Sequence, residues 1–94
     1  SAPTSSMPVD EIIGGGEVKS HKPDPEGLNL MVEKLRVKKS DVLYIGDSHI
    51  DAETARNAGV DFAGVTTGTA TKEDFEKYPN VCIGSSLTEI FTSI

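Results

Sequence analysis

This 94-residue chain has a single cysteine, Cys82. One thiol closes no internal disulfide and builds no multi-cysteine zinc site. It sits in the apolar run Val81-Cys82-Ile83, where a small buried hydrophobe is the simplest reading. No apolar stretch approaches the ~20 residues that cross a bilayer, and no secretory-leader pattern is legible. The expected setting is therefore cytoplasmic and reducing, with no membrane partner. Basic clustering is missing too. Nine Lys and Arg are scattered among fifteen Asp and Glu, for a formal net charge of −6. Nucleic acid is disfavoured as a partner, because phosphate backbones call for a basic patch. A small phosphorylated ligand is not, since one local lysine and a metal ion offset a global negative charge. Neither a P-loop nor a G-x-G-x-x-G occurs, and Gly14-Gly15-Gly16 lacks the spacing, which argues against a nucleotide or dinucleotide enzyme. There is no internal repeat.

What remains is ordinary for a globular chain: 36% hydrophobic and 26% charged residues. The length makes one small domain or part of a larger one, with a thin stability margin. Residues 1–8 open with Ser1-Ala2-Pro3-Thr4-Ser5-Ser6, small and polar without periodicity, and read as a flexible tail or an expression remnant.

Strand and helix patterns then alternate. Glu11-Ile12-Ile13 is a short β-branched run halted by three glycines. In Lys22-Pro23-Asp24-Pro25-Glu26, Asp24 suits a helix N-cap and Pro25 the first helical position. Leu28, Met31, Val32 and Leu35 follow at helical spacing. Asp41 to Ile45 reads as a buried strand, since Val42, Leu43, Tyr44 and Ile45 are apolar without alternation, as in a parallel strand covered on both faces. From about His49 to Ala58, Ala52, Ala55 and Ala58 give a helix that packs closely on a sheet, and Gly59 supplies its stop. Val60 to Val65 is a further strand. Thr71 to Asp74 resembles a helix start, Val81 to Ile83 a strand, and Ser86 to Glu89 the capping box of a last short helix carrying Leu87, Ile90 and Phe91. Such alternation indicates βαβ units: an α/β, partial Rossmann-like three-layer sandwich with a mostly parallel sheet.

In open parallel sheets ligands sit at the carboxyl ends of strands. Gly46-Asp47 is such an end, and Asp51 lies one helical turn later, which brings both carboxylates to one side. Two close anions raise each other's pKa unless a cation lies between them. Oxygen donors of this kind suit Mg²⁺, which takes one or two carboxylates and completes its shell with waters and phosphate oxygens. The competing reading makes Asp47 a helix N-cap and Asp51 a first-turn acid favoured by the helix dipole. Lys22 tips the balance. Bracketed by Pro23 and Pro25, it can neutralise carboxylates and contact a phosphate as a point charge, although most lysines are only solvated surface groups.

Lys22-Pro23-Asp24-Pro25 followed by Gly46-Asp47-Ser48-His49-Ile50-Asp51 resembles the third and fourth motifs of the haloacid dehalogenase (HAD) superfamily, in its phosphoglycolate-phosphatase-like subgroup. Asp10 to Gly15 and Ala55 to Val60 are similar to that group as well. The resemblance runs from about Val9 to the C-terminus, and it implies that residues 9–94 form the C-terminal half of a HAD core. It implies Lys22 as the catalytic, phosphate-binding lysine, Asp47 as a Mg²⁺ ligand and Asp51 as support for the metal shell or the lysine. Ser48, His49 and Ile50 fall at variable positions, and neither His49 nor His21 takes an acid–base role.

The family's nucleophile is the first aspartate of a D-x-D segment after an apolar strand, and this sequence has no D-x-D. Neither the motif-two Ser or Thr nor the cap that selects substrate is identifiable. Covalent catalysis needs that nucleophile, so the expectation is a phosphatase fragment inactive alone, whose small phosphorylated substrate belongs to a longer parent. The alternative is a non-catalytic module. In the family sheet, the strand before motif four pairs with the nucleophile strand. Without that neighbour the Val42–Ile45 strand is expected to be an apolar edge, prone to pairing with a second copy, as a homo-oligomer, or with the missing N-terminal half.

Overall fold

A computed structural model describes residues 11–18 and 24–93. The tail assigned to residues 1–8 lies outside the described residues. Four strands, β1 (Glu11–Gly14), β2 (Val42–Gly46), β3 (Asp61–Val65) and β4 (Cys82–Gly84), form one sheet in sequence order. Every pairing is parallel. Four helices alternate with them: α1 (Glu26–Leu35), α2 (His49–Ala58), α3 (Lys72–Glu76) and α4 (Leu87–Ser93).

The sheet separates two cores. On one side Ile13, Val42, Tyr44 and Phe62 meet Leu28 and Val32 of α1, Ala52, Ala55 and Ala58 of α2, and Phe75 of α3. On the other, Leu43, Ile45, Ala63 and Val65 meet Ile90 of α4. All five residues of β2 are buried, which is why that segment shows no alternation. The expected three-layer α/β sandwich is the observed fold.

Several local expectations shift. Asp24 does cap α1, accepting the Glu26 N–H at 2.9 Å. The N-cap position itself belongs to Pro25, whose carbonyl accepts the Asn29 N–H at 2.8 Å, so the helix starts one residue later than expected. Leu35 is 41% exposed and lies off the buried stripe, in the last turn before Arg36 closes the helix with φ 57°. The Ser86 box is half formed. Ser86 Oγ accepts the Glu89 N–H at 3.2 Å, but the Glu89 carboxylate turns instead to Ser85, accepting from its N–H at 3.1 Å and from its hydroxyl at 2.5 Å.

The larger correction concerns the edge. β2 is an interior strand, paired with β1 through Glu11↔Val42 to Gly14↔Ile45 and with β3 through Leu43↔Asp61 to Gly46↔Gly64. The short β-branched run before the glycines occupies the place where an open edge was expected. Among the described residues, the outer strands are β1 and β4.

Candidate active site

Parallel pairing places all four strand ends on one side of the sheet, and a cleft of about 460 Å³ opens there. The segment beyond each strand contributes: Gly15 and Gly16 after β1, Asp47 and Ser48 after β2, Thr67 after β3, and Leu87, the first residue of α4, after β4. Asp51, from the first turn of α2, completes the polar wall. The structure thus brings Asp47 and Asp51 to one cleft. Lys22 and His21 lie outside the described residues.

The two carboxylates are held differently. Asp47 is exposed and Asp51 is buried, with 4% of its surface accessible. The N-cap of α2 is Ser48, whose hydroxyl oxygen accepts the Asp51 N–H at 3.3 Å. The capping explanation of Asp47 is therefore wrong, and its carboxylate is not engaged as the helix cap. The same Ser48 hydroxyl donates to Asp51 Oδ2 at 3.1 Å, and the Tyr44 hydroxyl lies 3.4 Å from Oδ1.

Glycines make room for both acids. A Cβ on Gly46 would stand 2.3 Å from the Asp51 Cβ, and one on Gly15 would stand 2.9 Å from Asp51 Oδ1. A Cβ on Gly68 would meet Asp47 Cγ at 2.6 Å. The loop after β3 is also tied to Asp47 through Ala70 N–H and the Asp47 carbonyl at 3.4 Å. Burial pushes the Tyr44 phenol above its ordinary value, and the negative charge of Asp51 pushes it the same way. The hydroxyl thus stays protonated and available as a donor.

The sequence motifs do not point to Tyr44 or Gly68, and they place Ser48 only at a variable position. One signal is available for Tyr44: a lone hydroxyl in an otherwise aliphatic buried strand must find a polar partner. The roles of Ser48 and Gly68 depend on approach distances that a sequence does not carry.

An open parallel sheet flanked by helices, with acids at the carboxyl ends of its strands, defines an α/β protein of the kind that binds ligands at that rim. The profile of the haloacid dehalogenase-like hydrolases matches residues 6–65, more than half of the chain. The chain belongs to that family. It is 35% identical over 80 residues to the phosphoglycolate phosphatase of Vibrio parahaemolyticus serotype O3:K6, covering 85% of this chain and 35% of that protein. It is 47% identical over 57 residues to the phosphoglycolate phosphatase of Rhodobacter capsulatus, covering 61% of this chain and 25% of that protein. A crystal structure described as a haloacid dehalogenase-like hydrolase from Bacteroides fragilis superposes with a TM-score of 0.73 at 52% identity, over 86% of this chain and 39% of that one. The chain spans about a third or less of the length of the curated relatives it matches.

Proposed function

We propose that this chain forms the metal-holding side of a Mg²⁺-dependent phosphomonoester hydrolase of the phosphoglycolate-phosphatase type, a reading in which the substrate is a small phosphorylated metabolite. The observation that carries it is the seating of Asp47 and Asp51 in one cleft at the strand ends, against glycines where a side chain would fill the space. The residues present fit a hard divalent cation. They offer the carboxylate oxygens of Asp47 and Asp51 and the hydroxyl of Ser48 along one cleft. Mg²⁺ characteristically takes one or two carboxylates and leaves the rest of its shell to water and phosphate.

In this reading exposed Asp47 is the direct ligand, and buried Asp51 supports the shell or the lysine. Lys22 contacts the phosphoryl oxygens as a point charge. Bound there, the metal supplies electrostatic neutralisation of the phosphoryl group. The 94 residues hold no D-x-D to furnish an attacking carboxylate. The chain alone therefore binds and orients without cleaving, and turnover needs a nucleophile from outside it. A cytoplasmic setting suits this chemistry; no helix among the described residues is long and apolar enough to cross a membrane.

Calorimetric titration with Mg²⁺, paired with hydrolysis of an aryl phosphate, tests the reading. The expected result is Mg²⁺ binding that Asp47→Ala abolishes, with no turnover by either chain. A folded wild-type chain that takes no Mg²⁺ overturns the metal site. Turnover that disappears in Asp47→Ala overturns the missing nucleophile.

A second reading, a non-catalytic module that self-associates or pairs with another chain, is favoured by one observation. Among the described residues β1 is an outer strand, and Ile12 on it is 37% exposed, a combination that invites strand addition.

A further inference from the structure

Tyr44 is the only residue of β2 with a polar side-chain atom, and it is fully buried, with 0% of its surface accessible. Its ring is fixed by an aromatic row that runs from β2 through β3 to α3. Tyr44 lies 6.4 Å from Phe62 between centroids, and Phe62 lies 5.5 Å from Phe75. A ring so anchored puts its hydroxyl in one place, behind the Asp51 carboxylate that lines the cleft. There it lies 3.4 Å from Asp51 Oδ1 and 3.5 Å from the Gly15 carbonyl. A phenylalanine would fill the same apolar space, and a buried hydroxyl costs stability unless it is hydrogen-bonded. The oxygen is therefore best explained by what it touches.

Two acceptors face one phenolic proton. One belongs to the carboxylate on α2, and the other to the turn after β1. With Ser48 donating to Oδ2 at 3.1 Å, a hydroxyl sits at each oxygen of Asp51, and rotation of that carboxylate about its own axis is opposed from both sides.

We propose that Tyr44 is a positioning residue for the cation site: its hydroxyl orients Asp51 and ties the turn after β1 to it, so that the carboxylates of Asp47 and Asp51 present to a divalent cation in one arrangement. The inference rests on reading the cleft as a metal site. Tyr44 itself touches neither metal nor substrate. Partners that orient a metal-supporting group act through its geometry, and losing one weakens affinity about tenfold or more.

The test uses Mn²⁺ alone, titrated by calorimetry into the wild-type chain, Tyr44→Phe, Asp51→Asn and the double variant. Tyr44→Phe is expected to weaken Mn²⁺ binding by about tenfold, and to add nothing further once Asp51→Asn is present. Unchanged affinity in Tyr44→Phe, with a wild-type chain that binds, overturns the inference and leaves the metal site standing. A tenfold loss that persists beside Asp51→Asn also overturns it, since the ring would then act through packing. A folded wild-type chain that takes no Mn²⁺ overturns the metal site and this inference together. A second measurement needs no substitution. The chain has two tyrosines, so labelling with 3-fluorotyrosine gives two fluorine NMR lines. Tyr78, beneath the Arg56 guanidinium at 5.1 Å, serves as the internal reference. The Tyr44 line is expected to move on Mg²⁺ addition while the Tyr78 line stays. A Tyr44 line unmoved at a Mg²⁺ concentration that saturates the calorimetric signal overturns the proposal.

Discussion

Asp51 packs so tightly against Gly46 that a methyl group on the glycine would fall 2.3 Å from the Asp51 Cβ and 2.6 Å from its Cγ. The last residue of β2 and the first turn of α2 are thereby locked together, and the carboxylate is aimed by the backbone beneath it. Gly46→Ala must displace either the strand or the helix. Overpacking of this kind costs about 1–3 kcal/mol, so its urea midpoint should fall clearly below that of the wild type. Gly16 lines the same cleft, but a Cβ placed on it would meet nothing within 4 Å. Gly16→Ala should stay within about 0.5 kcal/mol of the wild type. Equal losses at the two sites would show that the cleft glycines matter for backbone freedom and not for the seating of Asp51.

Tyr44 gives an alkaline prediction whose sign follows from its burial. Desolvation first, then the charge of Asp51 and a hydrogen bond to it, raise the folded phenol above the ordinary 10.0. The unfolded chain releases this proton near pH 10 while the folded chain keeps it. Its contribution is thus fully present below pH 10 and is lost as pH rises beyond that value towards the folded pKa. The slope is at most about 1.4 kcal/mol per pH unit. Urea unfolding between pH 8 and pH 11 should show stability declining above pH 10 in the wild type and a shallower decline in Tyr44→Phe. Parallel curves would show that Tyr44 ionises as readily in the folded chain as in the unfolded one.

What the sequence discloses of the fold and the site divides along a physical line. α2 is legible to the residue, because the alanine spacing sets its buried face and Gly59, at φ 79°, ends it. β2 is legible from its unbroken apolar run, which records burial on both faces. The acids at its carboxyl end point to the cleft because parallel strands deliver their ends to one rim. Sheet neighbours are not legible. Periodicity states which faces of a strand are covered and is silent on which strand lies beside it, so the edge expected at β2 is in fact covered by β1. Nor can spacing show that Ser48, and not Asp47, caps α2. Both residue types cap helices well, and the choice is made by backbone direction at the end of the strand.

The exposed edge expected at β2 lies instead, among the described residues, at β1. Among the described residues it pairs only on its β2 side, and Ile12 is 37% exposed. Sedimentation over a wide concentration range should show self-association, and Ile12→Lys should shift the chain towards monomer by placing a charge on the edge. The thermal midpoint of a dilute sample should change little. A wild-type chain that stays monomeric at high concentration and melts cooperatively would remove the basis for the module reading.

Two exposed carboxylates should contribute to the loss of stability in acid. The Thr71 N–H donates to Asp74 at 3.0 Å and holds it below its ordinary 3.8, with help from the Thr71 hydroxyl. The Ser85 hydroxyl, followed by the Ser85 N–H, holds Glu89 below its ordinary 4.5. Depressed values mean that the unfolded chain takes up these protons first. Their contribution is complete above the ordinary values and is lost as pH falls through them towards the folded ones. Unfolding in urea from pH 6 to pH 3 should therefore show stability falling as pH drops below about 4.5. Asp74→Asn and Glu89→Gln should each make that fall shallower, because an amide keeps an acceptor oxygen and has no proton to take up. Ser85→Ala should flatten only the Glu89 share and leave the Asp74 share intact, since the two caps sit on different helices, α3 and α4. A fall of unchanged steepness in all three variants would assign the acid limb to other carboxylates.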